Sequence, residues 1–229
     1  MYSYGLPSPR LRHVPTEYVV KQGDYLAKIA RDHGFTDYIR LWNAPENARL
    51  RQKRKNPNVL FPGDVVAIPD RDSKHEDGQT QTRHTFRLKN PSLKLRVALE
   101  DAFRKPVRNA ACQLAVDGKF FKLQTDGSGK LEHEISPTAQ RADLVIRDAD
   151  TPFKDVVLKL KIGNLDPVDT FSGQVGRLMN LGYLTAPVED ANDPLFESAV
   201  EEFQCDQTMT VDGICGHQTQ AKLLQVHGC

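Results

Sequence analysis

The chain has 229 residues, 39% of them hydrophobic and 27% charged, with a formal net charge of +1. That balance excludes the strongly basic surface expected of a nucleic-acid binder, and no run approaches the roughly 18 to 20 apolar residues that would span a bilayer. The length suits one large domain or two to three small ones, and the ordinary apolar fraction argues for folded units over disorder.

Residues 1–17 read as an N-terminal extension. Met1-Tyr2-Ser3-Tyr4-Gly5-Leu6-Pro7 lacks the basic start and apolar core of a secretory signal, so the expectation is a chain made in the cytoplasm. The stretch 70–84 is polar and charged throughout, includes His75 and His84, and reads as a linker. A softer break near Gly163-Asn164-Leu165-Asp166-Pro167 leaves three units at 18–69, 85–163 and 164–229. The fold class expected is multidomain α+β.

In the first unit, Tyr18-Val19-Val20 forms a short β-branched strand and Gly23-Asp24 turns the chain. Asp24 is placed as an N-cap for a helix carrying Leu26, Ile29 and Ala30, with Gly34 as its stop. Thr36 caps a second helix with Ile39 and Trp42, and Leu60-Phe61-Pro62-Gly63-Asp64 turns into a closing strand that reaches Pro69. The order is strand, helix, helix, strand. This set of residues resembles the LysM family from Tyr18 to Pro69. The resemblance implies a βααβ module whose two loops hold N-acetylglucosamine polymers, here Gly23, Asp24, Tyr25 and Leu26 with Leu60, Phe61, Pro62 and Gly63. Helix-start amides and an apolar floor suit acetamido sugars. The segment between Trp42 and Asn58 is longer than usual and carries Arg49-Leu50-Arg51-Gln52-Lys53-Arg54-Lys55, either a solvated helical face or a patch for anionic partners.

The middle unit alternates with period two at Leu95–Glu100, Cys112–Val116, Lys119–Gln124, Leu144–Ile146 and Asp155–Ile162, with an Asp117-Gly118 hairpin turn. Short strands at this spacing predict a small antiparallel β-sandwich. Pro106–Ala110 and Thr125-Asp126-Gly127-Ser128-Gly129 resemble transthyretin-like or Ig-like carrier domains, usually spacers or interaction surfaces. Cys112 reads as core. His133 between Glu132 and Glu134 is discounted as a metal site, because flanking residues of a strand point to the opposite face. No metal or cofactor is expected.

Three helices are predicted in the last unit. The first carries Val175, Leu178 and Met179. The second is capped by Asp193 with Pro194 at its first position and a Phe196, Ala199, Val200, Phe203 stripe. The third follows Gly216, holds Thr219 in its first turn and places Leu223 and Leu224 inside. Arg177-Leu178, Leu181-Gly182-Tyr183, Phe203-Gln204 and Val211-Asp212-Gly213-Ile214 resemble the three-helix peptidoglycan-binding family, which implies a three-helix bundle and nominates the turn at Asp212 and Gly213.

Of the four cysteines, Cys205, Cys215 and Cys229 cluster late in the chain, and the expectation is a bridge from Cys205 or Cys215 to Cys229. Thiols packed as small hydrophobes are the alternative. His227-Gly228-Cys229 resembles the active-site stretch of L,D-transpeptidases. In that family it lies inside a β-domain and precedes an Arg, whereas here it follows a helix and ends the sequence, so no catalysis is expected.

The layout as a whole, with Asn43–Arg51 and the Leu-Gly-Tyr module, is similar to accessory proteins of bacterial type VI secretion systems. The resemblances together imply a non-catalytic peptidoglycan binder serving as an accessory or adaptor. The middle unit would contact a secretion-system spike or effector, and the protein would be delivered to a periplasm or target envelope. A neutralising, immunity-type partner of a wall-targeting toxin and a cryptic wall hydrolase are the alternatives.

Overall fold

The computed structural model describes residues 15–71, 77–83, 85, 93–147 and 155–229. Most of the predicted extension, and His75 and His84 of the linker, lie outside the described residues.

In the first unit, β1 (Thr16–Val19) and β2 (Val65–Ile68) pair antiparallel, with Thr16 opposite Ile68 and Val19 opposite Val65. Three α-helices lie between them, not two: α1 (Leu26–Asp32), α2 (Tyr38–Asn43) and α3 (Ala48–Lys53), the last entered through a 3-10 turn at Pro45–Asn47. The lengthened segment is therefore folded. Asn47 explains how it is held: its buried side-chain amide donates to Leu41 O (2.9 Å) and Ala67 O (2.8 Å) and accepts from Ala67 N (2.8 Å). One side chain thus pairs with β2 much as another strand would. Val20, Leu26, Ile29, Phe35, Leu41, Leu50, Leu60 and Val66 close the core beneath.

Two predicted caps move. Asp37, not Thr36, caps α2 by accepting from Ile39 N at 2.9 Å, and Ile39 itself is exposed. Tyr25 occupies the N-cap position of α1 without a side-chain bond, because the Asp24 carboxylate turns the other way.

The middle unit contains β3 (Leu93–Ala98), β4 (Ala111–Val116), β5 (Lys119–Gln124), β6 (Lys130–Ile135), β7 (Arg141–Arg147) and β8 (Val156–Lys161). β3 pairs with β6, and β5-β4-β7-β8 form a four-stranded antiparallel sheet. Alternation sends Cys112, Leu114, Val116, Leu131, Ile135, Ala142 and Leu144 into one cluster shared by the two sheets. His133 lies opposite Leu95 with its ring 4.2 Å from that of Phe121, while Glu132 is engaged by Lys94 and Arg96 at 2.6 Å each.

In the last unit, α4 (Phe171–Asn180), α5 (Pro194–Asp206) and α6 (His217–His227) share a core of Val175, Leu178, Leu184, Phe196, Ala199, Val200, Phe203 and Leu223. Asp193 caps α5 by accepting from Leu195 N at 2.8 Å, as its sequence position suggests. Leu224, expected inside, is exposed on α6. The whole is a mixed α and β fold with small antiparallel sheets and, among the described residues, six α-helices.

Candidate functional site

The first predicted loop is knotted around Asp24. Its carboxylate accepts from Lys21 N (3.0 Å), the Tyr18 hydroxyl (2.7 Å) and Lys28 Nζ (2.8 Å), which closes the turn before α1. Burial works to raise this carboxyl, but those three hydrogen bonds outweigh it and hold Asp24 below its ordinary value.

The second loop is organised the same way by Asp64. It accepts from Arg54 Nε (2.7 Å), Arg54 Nη2 (3.2 Å), Lys53 Nζ (2.8 Å) and Phe61 N (2.9 Å). Burial again pushes the carboxyl up, and the Arg54 and Lys53 bonds bring it net down. The Arg54 guanidinium also sits 5.7 Å from the centre of the Phe61 ring. The basic segment is therefore only partly a solvated face. Arg54 is buried, Lys53 serves Asp64, and Arg51 donates to the carbonyls of Trp42 and Ala44. Arg49 and Lys55 face solvent. The two loops meet where Leu26 N donates to Pro57 O at 3.2 Å. Next to it, the buried Asn58 Oδ1 accepts no hydrogen bond. Sequence reading passed over Asn58, and its place between Pro57 and the second loop was the only available signal.

The structure brings the two predicted loops together but does not leave them both open. Gly23, Asp24, Tyr25 and Leu26 are all buried, Tyr25 to 1% exposure and Leu26 to 0%, as is Leu60. Phe61 and Pro62 are half-buried and Gly63 is exposed. What covers the first loop is the same chain. The Tyr25 hydroxyl donates to Ala139 O at 2.6 Å, and burial pushes that phenol well above its ordinary range. A Cβ on Gly163 would stand only 2.2 Å from Tyr25 Cδ1, and the Asn164 side chain lies over Gly23. Further along, Gln22 Nε2 reaches Asp166 Oδ1 and Arg54 Nη1 reaches Asp169 Oδ1, each at 3.4 Å.

The turn at Asp212 and Gly213 is built differently, around Gln204. That buried side chain donates to Asp212 Oδ1 (2.7 Å), Ile214 O (3.1 Å) and Thr219 Oγ1 (3.0 Å), and accepts from Asp212 N (2.9 Å) and Gly213 N (3.1 Å). Gly213 has φ +69, and a Cβ there would meet Glu197 Cγ at 2.7 Å, so the turn can lie close on α5 only with glycine. The Gln204 bond and the Ile214 amide hold the Asp212 carboxyl below its ordinary value. Val211 and Ile214 remain 50% and 65% exposed beside it. The preceding Leu-Gly-Tyr stretch packs on the middle unit, where Arg104 lies 3.8 Å from the centre of the Tyr183 ring and donates to Leu181 O.

Neither expected disulfide is formed: Cys112, Cys205, Cys215 and Cys229 are all free thiols. Cys205 faces solvent from α5, whereas Cys215 packs toward the helical core, where burial pushes its thiol up to about 11. Cys229 is held elsewhere. The buried Arg177 guanidinium donates to Cys229 O (2.8 Å), Asp166 O (2.8 Å) and Gly173 O (2.7 Å), which fixes the tail against α4. Cys229 Sγ lies 3.3 Å from His227 Nδ1, and His227 Nε2 lies 3.0 Å from Asn180 Nδ2. Burial raises the thiol, opposed by Arg177, and burial lowers the imidazole. Both directions favour the uncharged forms over an ion pair. Among the described residues, no group of three or more His, Cys, Asp or Glu side chains could hold a metal, and no helix is long and apolar enough to cross a membrane.

Residues 18–69 match the LysM domain family, and residues 176–223 match the family described as "Putative peptidoglycan binding domain". The two matches support peptidoglycan binding by this chain. Neither a curated protein nor a solved structure matched it.

Proposed function

We propose that the chain is a non-catalytic peptidoglycan-binding protein whose C-terminal unit makes the standing contact with the wall. The observation that carries this is the Asp212-Gly213 turn inside the matched segment, held rigid by Gln204 and flanked by exposed Val211 and Ile214. A fixed turn with a carboxylate and exposed apolar side chains suits an amide-rich, partly apolar wall ligand. The test is retention of the full chain on purified sacculi, compared with Asp212→Ala combined with Ile214→Ala. Retention by the native chain and its loss in the double variant are expected, and a native chain that washes off defeats the reading. A zymogram on the same sacculi checks the absence of hydrolysis, since a cleared zone would make the protein a hydrolase.

The finer role is that of an accessory or adaptor of a type VI secretion system, carried to a periplasm or target envelope with the middle unit as its protein-contact surface. What supports it is the sequence likeness of Asn43–Arg51 and of the Leu181-Gly182-Tyr183 module. Co-purification of the full chain with a spike or effector protein tests it.

A further inference from the structure

We infer that the segment 163–169 is a built-in cover over the first glycan loop of the first unit, and that glycan binds there only when the cover is displaced. The inference rests on reading the first unit as a binder of N-acetylglucosamine polymers. The cover touches the first loop at two places, Gly163 against the Tyr25 ring and Asn164 over Gly23, and neighbouring residues at two more, Asp166 toward Gln22 and Asp169 toward Arg54. Arg54 supports the second loop through Asp64 and Phe61, so the segment reaches from the first predicted loop to a support of the second.

Tyr25 stands outside the apolar cluster of the first unit, so withdrawing its ring empties no part of that cluster. The two polar reaches are long, and Asp169 is largely in water, where such pairs contribute little. Opening leaves the buried Arg177 its Asp166 carbonyl only where the segment moves together with α4. Arg54 keeps both bonds to Asp64, and Asp166 keeps the Ser172 hydroxyl at 2.6 Å. A further tie on Tyr25, its buried hydroxyl bond to Ala139 O, comes from the middle unit and must also part for the ring to swing free. Once free, that ring offers a flat apolar face and a hydroxyl beside the helix-start amides. Asn58 Oδ1, buried and without a donor at the junction of the loops, is an acceptor that an acetamido N–H would satisfy.

Gly163→Ala in the full chain tests this directly, because its Cβ cannot coexist with Tyr25 in the closed position and φ +75 is strained for alanine. Two measurements are read together: amide hydrogen exchange at residues 23–26, and calorimetric binding of the N-acetylglucosamine pentamer. Faster exchange with at least about tenfold tighter pentamer binding is expected, since a site open only a small fraction of the time binds weaker by that fraction. Asp166→Ala with Asp169→Ala, which leaves Gly163 and Tyr25 untouched, is expected to move both readouts the same way by a smaller factor, and covers the case of a poorly folding Gly163→Ala. Unchanged exchange, or faster exchange with no gain in affinity, overturns the cover. If the native chain and the variants bind the pentamer equally, the cover is wrong and the glycan reading of the first unit stands. If none of them binds it, that reading falls and the cover with it.

Discussion

The two ends of this chain use the same device for opposite outcomes. In the first unit a buried amide, Asn47, stitches an inserted segment to β2, and in the last a buried amide, Gln204, stitches a turn to α5. Each supplies several backbone partners from one side chain, and each is hard to replace because those partners would be left unsatisfied. The difference lies in what surrounds them. The Gln204 turn leaves Val211 and Ile214 in water, whereas the first loop of the first unit is folded under residues 163–169 and Ala139. A module's sequence can therefore retain its loop residues while the rest of the chain decides whether they meet a ligand.

Breaking the two amides is the most severe test of that contrast. Gln204→Ala is expected to cost about 3 kcal/mol, since it leaves the Asp212 and Gly213 amides without their acceptor. It should also abolish retention on sacculi, and urea unfolding with a sacculus pulldown reads both. Asn47→Ala should cost about 2 kcal/mol by the same reasoning, yet leave sacculus retention within about twofold if the last unit makes the standing contact. A large loss of retention in Asn47→Ala would erase the distinction between the two ends.

Acid is a gentler test of the carboxylate networks in the first unit. Asp24 and Asp64 are held below the ordinary 3.8, so their contribution to stability is present above that value and drains away as pH falls through their lower folded-state values. Urea midpoints measured between pH 7 and pH 3 should drop steeply at the acid end, and Asp64→Asn should flatten that drop while lowering stability at pH 7. An acid profile unchanged by Asp64→Asn would show that the carboxylate network does not hold the second loop. The smallest effect is expected at the tail. With no disulfide to lose, Cys229→Ser should shift stability by less than about 0.5 kcal/mol, against about 2 to 4 kcal/mol for removing a bridge.

Much of the local structure was readable because it depends on neighbours in sequence. The Asp193-Pro194 helix start, the Asp117-Gly118 turn between β4 and β5, and the alternation that buries Cys112, Leu114 and Val116 all follow from spacing alone. The caps at Thr36 and Asp24 were misplaced because an adjacent residue or a better partner won. Asp37 took α2, and the Tyr18 hydroxyl, Lys21 amide and Lys28 drew the Asp24 carboxylate away from α1. The third helix of the first unit was hidden because its reason for folding, the Asn47 bonds to Ala67, spans 20 residues. The cysteine bridge was expected from clustering in sequence, but Arg177 fixes Cys229 O against α4 while Cys205 faces solvent and Cys215 packs inward.

The sequence by itself determined the two wall-directed modules, because their turns and helix starts are written in short runs of residues that act on their own backbone. Only the tertiary structure decided which of their turn residues are buried and which face solvent. Tyr25 reads the same in the sequence whether it faces a sugar or lies beneath Gly163. Its place is set by Ala139 and the 163–169 segment, more than 110 residues away along the chain, which no local pattern can reveal.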